Sequence, residues 1–230
     1  EYRRQRQMCI RDRIELGGFY LDVIKDRQYT VKANSLARRS AQTALYHVLE
    51  ALTRWLAPII SYTADEIWRY IPGERSESVF LSKWYTGLQP LAEQGHFDRD
   101  FWQKMMQLRT AVSKELEKSR TKGDIGSSLN AQVVLYANEQ WLPLLERLED
   151  ELRFVFITSG AQVLPLTQSP DDAIDTDVDG IRLQVCVSTQ AKCVRCWHQA
   201  SDVGIDADHP ELCGRCVDNV EGDGETRRYA

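Results

Sequence analysis

No uninterrupted apolar run in this chain approaches the ~18 residues that a membrane span needs; Trp55–Ile60 and Phe154–Ile157 are among the longest. No charged-then-apolar leader opens it, so no export and no membrane partner are expected, and the expected compartment is the reducing cytoplasm. Net positive charge is missing too: 29 basic residues face 34 acidic ones, a balance of −5. That excludes a generally cationic nucleic-acid binder but leaves local basic patches to decide RNA binding. No internal repeat is visible. What is present is ordinary for a globular protein. Hydrophobic residues make up 43% and charged residues 27% of 230, which excludes wholesale disorder and fits one or two domains with room for a small third module.

The first thirteen residues (EYRRQRQMCIRDR) hold five arginines and follow neither a helical nor a strand period. They read as a non-native leader, resembling translated sequencing-adapter sequence, so the native beginning is expected elsewhere; the rival is a basic arm for nucleic acid. From Ile14 to about Pro72 the period is helical. A first helix is expected from Gly18 to about Thr30. Leu45, Leu49, Leu52, Leu56 and Ile59 then recur at three- and four-residue steps and predict one buried face. Pro58 ends that helix near Leu56, Thr63 is a candidate N-cap for the next, and Pro72-Gly73 closes it. Short connections make this an antiparallel helical bundle. Residues 73–95 are a loop, with Val79, Phe80 and Trp84 as expected anchors.

A long helix follows over about Asp98–Arg120. Thr121–Ser128 is a turn, Ala131–Ala137 a strand, Trp141–Ile157 an amphipathic helix, and Gln162–Leu166 and Ile181–Ser188 further strands. Asp171–Gly180 carries five aspartates and no base. Its spacing fits no EF-hand, so it reads as a solvated loop. The fold expected is therefore mainly α: a helical bundle over residues 14–97, a helix plus small α/β region over 98–190, and a cysteine module over 191–230.

That module holds four of the six cysteines, spaced Cys193-x2-Cys196-x16-Cys213-x2-Cys216. A Cys-x-x-Cys turn brings two sulfurs to one ion, and two such turns complete a tetrahedral four-thiolate site with no open position. The chemistry is that of one structural zinc ion, which replaces the core that a module of about 35 residues cannot build. An iron tetrathiolate uses the same ligands, and a redox dithiol needs only one pair. His198 and His209 lie between the pairs and are read as non-ligands. Cys186 alternates along a strand and is read as a packed small residue; Cys9 belongs to the leader. Arg195 and Trp197 flank Cys196, and Arg215 precedes Cys216. They either soften the thiolate charge and pack the turn, or display a guanidinium and an indole to an unpaired base.

The run Phe19-Tyr20-Leu21-Asp22-Val23-Ile24-Lys25-Asp26-Arg27-Gln28-Tyr29 resembles the anticodon-domain helix of class I aminoacyl-tRNA synthetases. So does Trp55-Leu56-Ala57-Pro58-Ile59-Ile60, continuing through Thr63-Ala64-Asp65-Glu66-Ile67-Trp68. With the four-cysteine ending and the Ile125-Gly126-Ser127-Ser128-Leu129 turn, about Glu15 to Ala230 resembles the C-terminal portion of the bacterial isoleucyl-tRNA synthetases. The resemblance implies an intact protein that uses ATP to join isoleucine to its tRNA. The His-x-Gly-His and Lys-Met-Ser-Lys-Ser elements of that chemistry are absent here, as is the proofreading domain. It implies tRNA recognition without catalytic residues, isoleucine tRNA as partner, and a cytoplasmic monomer. Candidate RNA contacts are Arg195 and Trp197 on the metal module and Lys25, Arg27, Lys32, Arg38 and Arg39 on the bundle. A second basic stretch holds Lys114, Lys118, Arg120 and Lys122, diluted by Glu115 and Glu117. The rival from another class is a zinc-ribbon protein-interaction module on a helical scaffold.

Overall fold

The computed structural model describes residues 12–89 and 97–229. Glu1–Arg11 of the expected leader, with Cys9, lie outside the described residues. A π-helical segment over Asp12–Tyr20 runs directly into helix α1 (Leu21–Tyr29), so the first helical stretch starts earlier than the expected Gly18. Helix α2 (Leu36–Leu56) is started by Ser35, whose side chain accepts the Arg38 N–H, and it stops before Pro58, which cannot supply the next N–H.

Helix α3 (Ser61–Tyr70) begins two residues before the expected Thr63 cap. The reason lies in the preceding turn. The Ile59 and Ile60 N–H groups both donate to the Leu56 carbonyl, at 2.8 and 2.9 Å, and the Ala64 N–H reaches back to Ile60 at 2.9 Å. The backbone thus enters the helix without a side-chain cap. The leucine face of α2 also departs from expectation. The buried positions are Ala37, Ala41, Glu50, Ala51 and Thr53, whereas Leu49 is 38% and Ile59 57% exposed. Small side chains fill the contacts of α2 with its neighbours α1 and α3, while Leu45, Leu52 and Leu56 of the expected face are only half-buried.

Where α2, α3 and the Val79 turn meet lies a small core of Ala57, Ala64, Trp68, Ile71 and Val79. The guanidiniums of Arg54 and Arg75 both lie over the Trp68 ring, at 4.5 and 4.6 Å from its centroid, and both arginines pair with buried Glu50. Of the three expected loop anchors only Val79 is buried. Phe80 and Trp84 face solvent, because the short helical turn over Val79–Leu81 presents one side chain inward.

Helix α4 (Arg99–Lys122) is capped at both ends. Asp98 accepts the Phe101 N–H at 2.8 Å, and Gly123 closes the helix in the left-handed region at φ 85°, a conformation that other residues adopt only with strain. Its buried residues Phe101, Met105, Leu108, Val112 and Leu116 form one stripe. That stripe belongs to the main core, which it shares with a four-stranded mixed sheet. Strands β1 (Ala131–Ala137), β2 (Gly160–Pro165), β3 (Ile174–Asp175) and β4 (Ile181–Val187) lie in the order β2-β1-β4-β3. Strand β1 runs parallel to β2 and antiparallel to β4, setting Leu135 between Val163 and Leu183. Val23 of α1 joins this same core.

The expected helix over Trp141–Ile157 is broken into α5 (Leu142–Glu146), a 3-10 turn over Glu149–Glu151, and α6 (Leu152–Phe156). Glu149 adopts φ 48°, and the Glu151 carboxylate accepts the main-chain N–H groups of Arg228 and Tyr229 at 2.6 and 2.8 Å. A distant segment therefore uses the break. The acidic stretch 171–180 is the solvated surface segment expected, with all five aspartates exposed, and some of them also have partners. Asp175 lies in β3, Asp177 pairs with Lys114 at 2.6 Å, and Asp172 accepts from Gln184. Among the described residues no helix is long and apolar enough to cross a membrane.

Candidate metal centre and nucleic-acid interface

The last module is built by two turns that point sulfur inward. In the first, the Cys193 N–H donates to the His198 carbonyl and the Trp197 N–H to the Cys193 carbonyl, both at 2.9 Å, and an isolated bridge pairs Lys192 with Gln199. In the second, Cys213 opens helix α7 (Gly214–Val220), and the N–H groups of Cys216 and Val217 return to its carbonyl at 2.9 and 3.0 Å. Four buried sulfurs result, all within 4.8 Å of one another. Cys196 and Cys213 are 3.7 Å apart. A tetrahedral ion with metal–sulfur bonds of about 2.3 Å has sulfur–sulfur edges of about 3.8 Å, so the spacing fits.

Hydrogen bonds from Cys213 and Cys216 push the Cys196 thiol down, and those same bonds push Cys213 and Cys216 up. Neither histidine joins the cluster. His198 Nδ1 lies 3.2 Å from the Cys196 carbonyl, and its ring stands edge-on to Phe154; His209 Nε2 lies 3.4 Å from Glu221. Among the described residues, Ala200, Val203 and Leu212 are the apolar partners that pack against the sulfurs, and each is only partly buried. The module has almost no core apart from its ligands.

Trp197 is the residue that the first turn throws outward. It takes φ 65°, a left-handed conformation rare for a large side chain, and is 60% exposed. Lys192 Nζ lies 5.5 Å from its ring centroid. Between this turn and α1 opens a cleft of about 480 Å³ whose walls include Tyr29, Thr30, Phe154, Ile157 and Trp197. Tyr29, at the end of α1, is 76% exposed. Two exposed aromatic rings, Tyr29 and Trp197, thus border one cleft, with Lys25 also on its edge.

The other expected contacts fall into two groups. Lys25 and Arg39 are exposed on the helical half, and Lys122 is exposed at the end of α4. Lys25 reaches back to Asp22 at 2.9 Å, and Arg38 is half-buried. Arg195 instead donates to the Thr30 carbonyl of α1. Arg27 turns toward Glu151, at 3.9 Å, and Lys32 donates to the Gly222 carbonyl at 2.5 Å. In the second basic stretch Lys114, Lys118 and Arg120 pair with Asp177, Glu115 and Glu117. Tyr29 and Lys192 were missed by sequence reasoning, although an aromatic at the end of a recognised helix and a lysine beside a metal-ligand turn were the available signals.

A family model described as the anticodon-binding domain of tRNA ligase matches residues 13–135, more than half of the chain. The chain belongs to this anticodon-binding family. A second model, a zinc finger found in FPG and IleRS, matches residues 191–219 and so covers the four-cysteine cluster of this anticodon-binding chain. Among curated proteins the chain is similar to isoleucine–tRNA ligases. Those of Pseudomonas entomophila (strain L48) and Pseudomonas putida (strain ATCC 47054) are each 56% identical, and that of Azotobacter vinelandii (strain DJ) is 55% identical. Each match runs over 229 residues, the whole of this chain but 24% of the relative. The chain spans about a quarter of the length of these relatives.

Proposed function

We propose that this chain is the tRNA-recognition portion of an isoleucine–tRNA ligase, binding the anticodon stem-loop of isoleucine tRNA and carrying no catalytic residue. The observation that supports it most is the exposed Trp197, held in a left-handed turn by a metal-ligand knuckle beside an aromatic-edged cleft. Every base offers a π-face, so an indole fixed in this way stacks on an unpaired nucleotide, a contact worth about 1–3 kcal/mol. Residues 14–97 act as an antiparallel helical bundle against the stem, 98–190 as the α/β connector, and 191–230 as the loop reader.

Within this division the residues have separate tasks. Lys25, Arg38, Arg39 and Lys122 meet phosphates, which position the RNA without reading it. Arg195 offers its remaining guanidinium N–H groups beside Trp197, and Arg27 supports the helix from below. One zinc ion, held by Cys193, Cys196, Cys213 and Cys216, supplies a rigid tetrahedral node and no reaction. ATP is consumed, and isoleucine joined to tRNA, by a catalytic domain whose signature elements this sequence does not contain. The protein works in the cytoplasm as a monomer. Binding here orients the tRNA for a reaction elsewhere, so it contributes to affinity rather than to bond chemistry.

The test is Trp197→Ala in a gel-shift titration with isoleucine tRNA and an unrelated tRNA. Affinity for isoleucine tRNA should fall about tenfold or more, by the stacking energy above, with metal content unchanged. Equal affinity of wild type and variant, or equal binding of both tRNAs by the wild type, overturns the proposal in favour of a protein-interaction module.

A further inference from the structure

The metal module is joined to α1 by an almost solvent-free ion cluster. Arg215, one residue before the ligand Cys216, grips Asp26 with two parallel hydrogen bonds of 2.7 and 2.9 Å. Arg227 adds a third at 2.8 Å from a side chain only 1% exposed. Glu225 balances the second arginine charge, 3.1 Å from Arg215. Phe154 of α6 lies beneath, its ring centroid 5.2 Å from the Arg215 guanidinium and 3.4 Å from that of Arg227. At the other edge of the contact the Lys32 N–H donates to Asn219 of α7 at 3.1 Å, and Arg195 holds the Thr30 carbonyl.

This arrangement has a direction. Asp26 is on the same helix as Lys25 and Tyr29, which border the cleft, and its partner Arg215 is on the turn that supplies two of the four sulfurs. Two-pronged carboxylate–guanidinium pairing fixes distance and angle together, which a single lysine contact would not. The sulfurs have three partly buried apolar partners and His198 stands edge-on to Phe154, so polar contacts carry much of the module's seating. The ion cluster, together with the Arg195–Thr30, Lys32–Asn219 and Gln199–Ser159 hydrogen bonds, therefore sets where the Trp197 ring stands relative to α1.

We propose that Asp26 is a positioning residue for RNA recognition: through Arg215 it registers the metal-bound knuckle on α1, so that Trp197 and the helix edge meet one RNA loop at a fixed separation. The inference rests on the reading of Trp197 as an RNA contact. Asp26 also lines the cleft, but its carboxylate is taken up by Arg215 and Arg227, so its proposed role is to hold the knuckle in place.

A double-mutant cycle tests it, with Asp26→Asn and Trp197→Ala made singly and together in the 230-residue chain. Dissociation constants for isoleucine tRNA are measured alongside metal stoichiometry. Asp26→Asn should weaken binding roughly tenfold while one metal per chain is kept, and in the Trp197→Ala background it should cost almost nothing more. A protein merely destabilised by the change would instead lose affinity by the same factor in both backgrounds. If the two losses multiply, the positioning role is overturned while the RNA contact at Trp197 stands. If Trp197→Ala alone binds normally, the RNA reading fails and the positioning role with it. Should Asp26→Asn lose its metal, Arg215→Lys decides, since it keeps the charge and drops the two-pronged geometry. It should weaken binding with metal retained, and unchanged affinity there refutes the proposal.

Discussion

Removing the metal should unfold one module and spare the rest. Cys196 and Cys213 lie 3.7 Å apart. Two thiolates at that distance repel by about 4 kcal/mol at an effective dielectric constant near 20, so without a cation they cannot both stay ionised. Among the described residues the apolar support of the sulfurs is three partly buried side chains, Ala200, Val203 and Leu212. A structural zinc ion is worth about 10–16 kcal/mol in comparable small modules, far more than these contacts can replace. Hydrogen exchange gives the readout residue by residue. The amides of Trp197, Cys216 and Val217 are bonded to the Cys193 and Cys213 carbonyls and should lose at least about a thousandfold of protection when a chelator strips the metal, equivalent to about 4 kcal/mol. Amides of Val133 and Leu135 in the central strand should keep theirs, because their core contains no ligand. Retained protection at the three module amides, in protein shown to be metal-free, would refute the claim that the ion stands in for a core.

Two further outcomes test the scaffold. Glu50 is 3% exposed between Arg54 and Arg75; burial opposes its charge, but hydrogen bonds from Arg54, Arg75 and Tyr46 outweigh burial and hold the carboxyl below its ordinary value. Its stabilisation is complete above the ordinary glutamate range and is lost as pH falls through the lowered value, so Glu50→Gln should flatten the acid limb of urea-melt stability; an unchanged limb counts against the cluster. Leu108 is fully buried on α4, and Leu108→Ala should cost about 2–5 kcal/mol in a urea melt, whereas a loss below about 1 kcal/mol would mean the helix does not carry the main core.

The parts legible in the sequence are those whose cause is local. Metal ligation depends on side-chain type and spacing, so the four cysteines were identifiable before any coordinates, and the structure brings their sulfurs together. The long helix α4 and strand β1 were also legible, since each is a continuous run of residues of one structural preference. The buried face of α2 was not. Leucines predict burial only if a neighbour covers them, and here alanines meet the neighbours instead. The break at Glu149–Glu151 was hidden because its beneficiaries, the Arg228 and Tyr229 amides, are 77 and 78 residues away. Arg195 and Arg27 show the same limit. Residue type marked them as cations, but only tertiary placement gives them Thr30 and Glu151 as partners.

The grip of Glu151 also says how the segment after α7 can change over evolution. Its carboxylate takes hold of two main-chain amides, so it recognises the course of the chain and is indifferent to the side chain carried at residue 228. Drift there is tolerated as long as the amide survives. Proline is the exception: at 228 or 229 it would delete a donor, unlatching the stretch that carries Arg227 to Asp26.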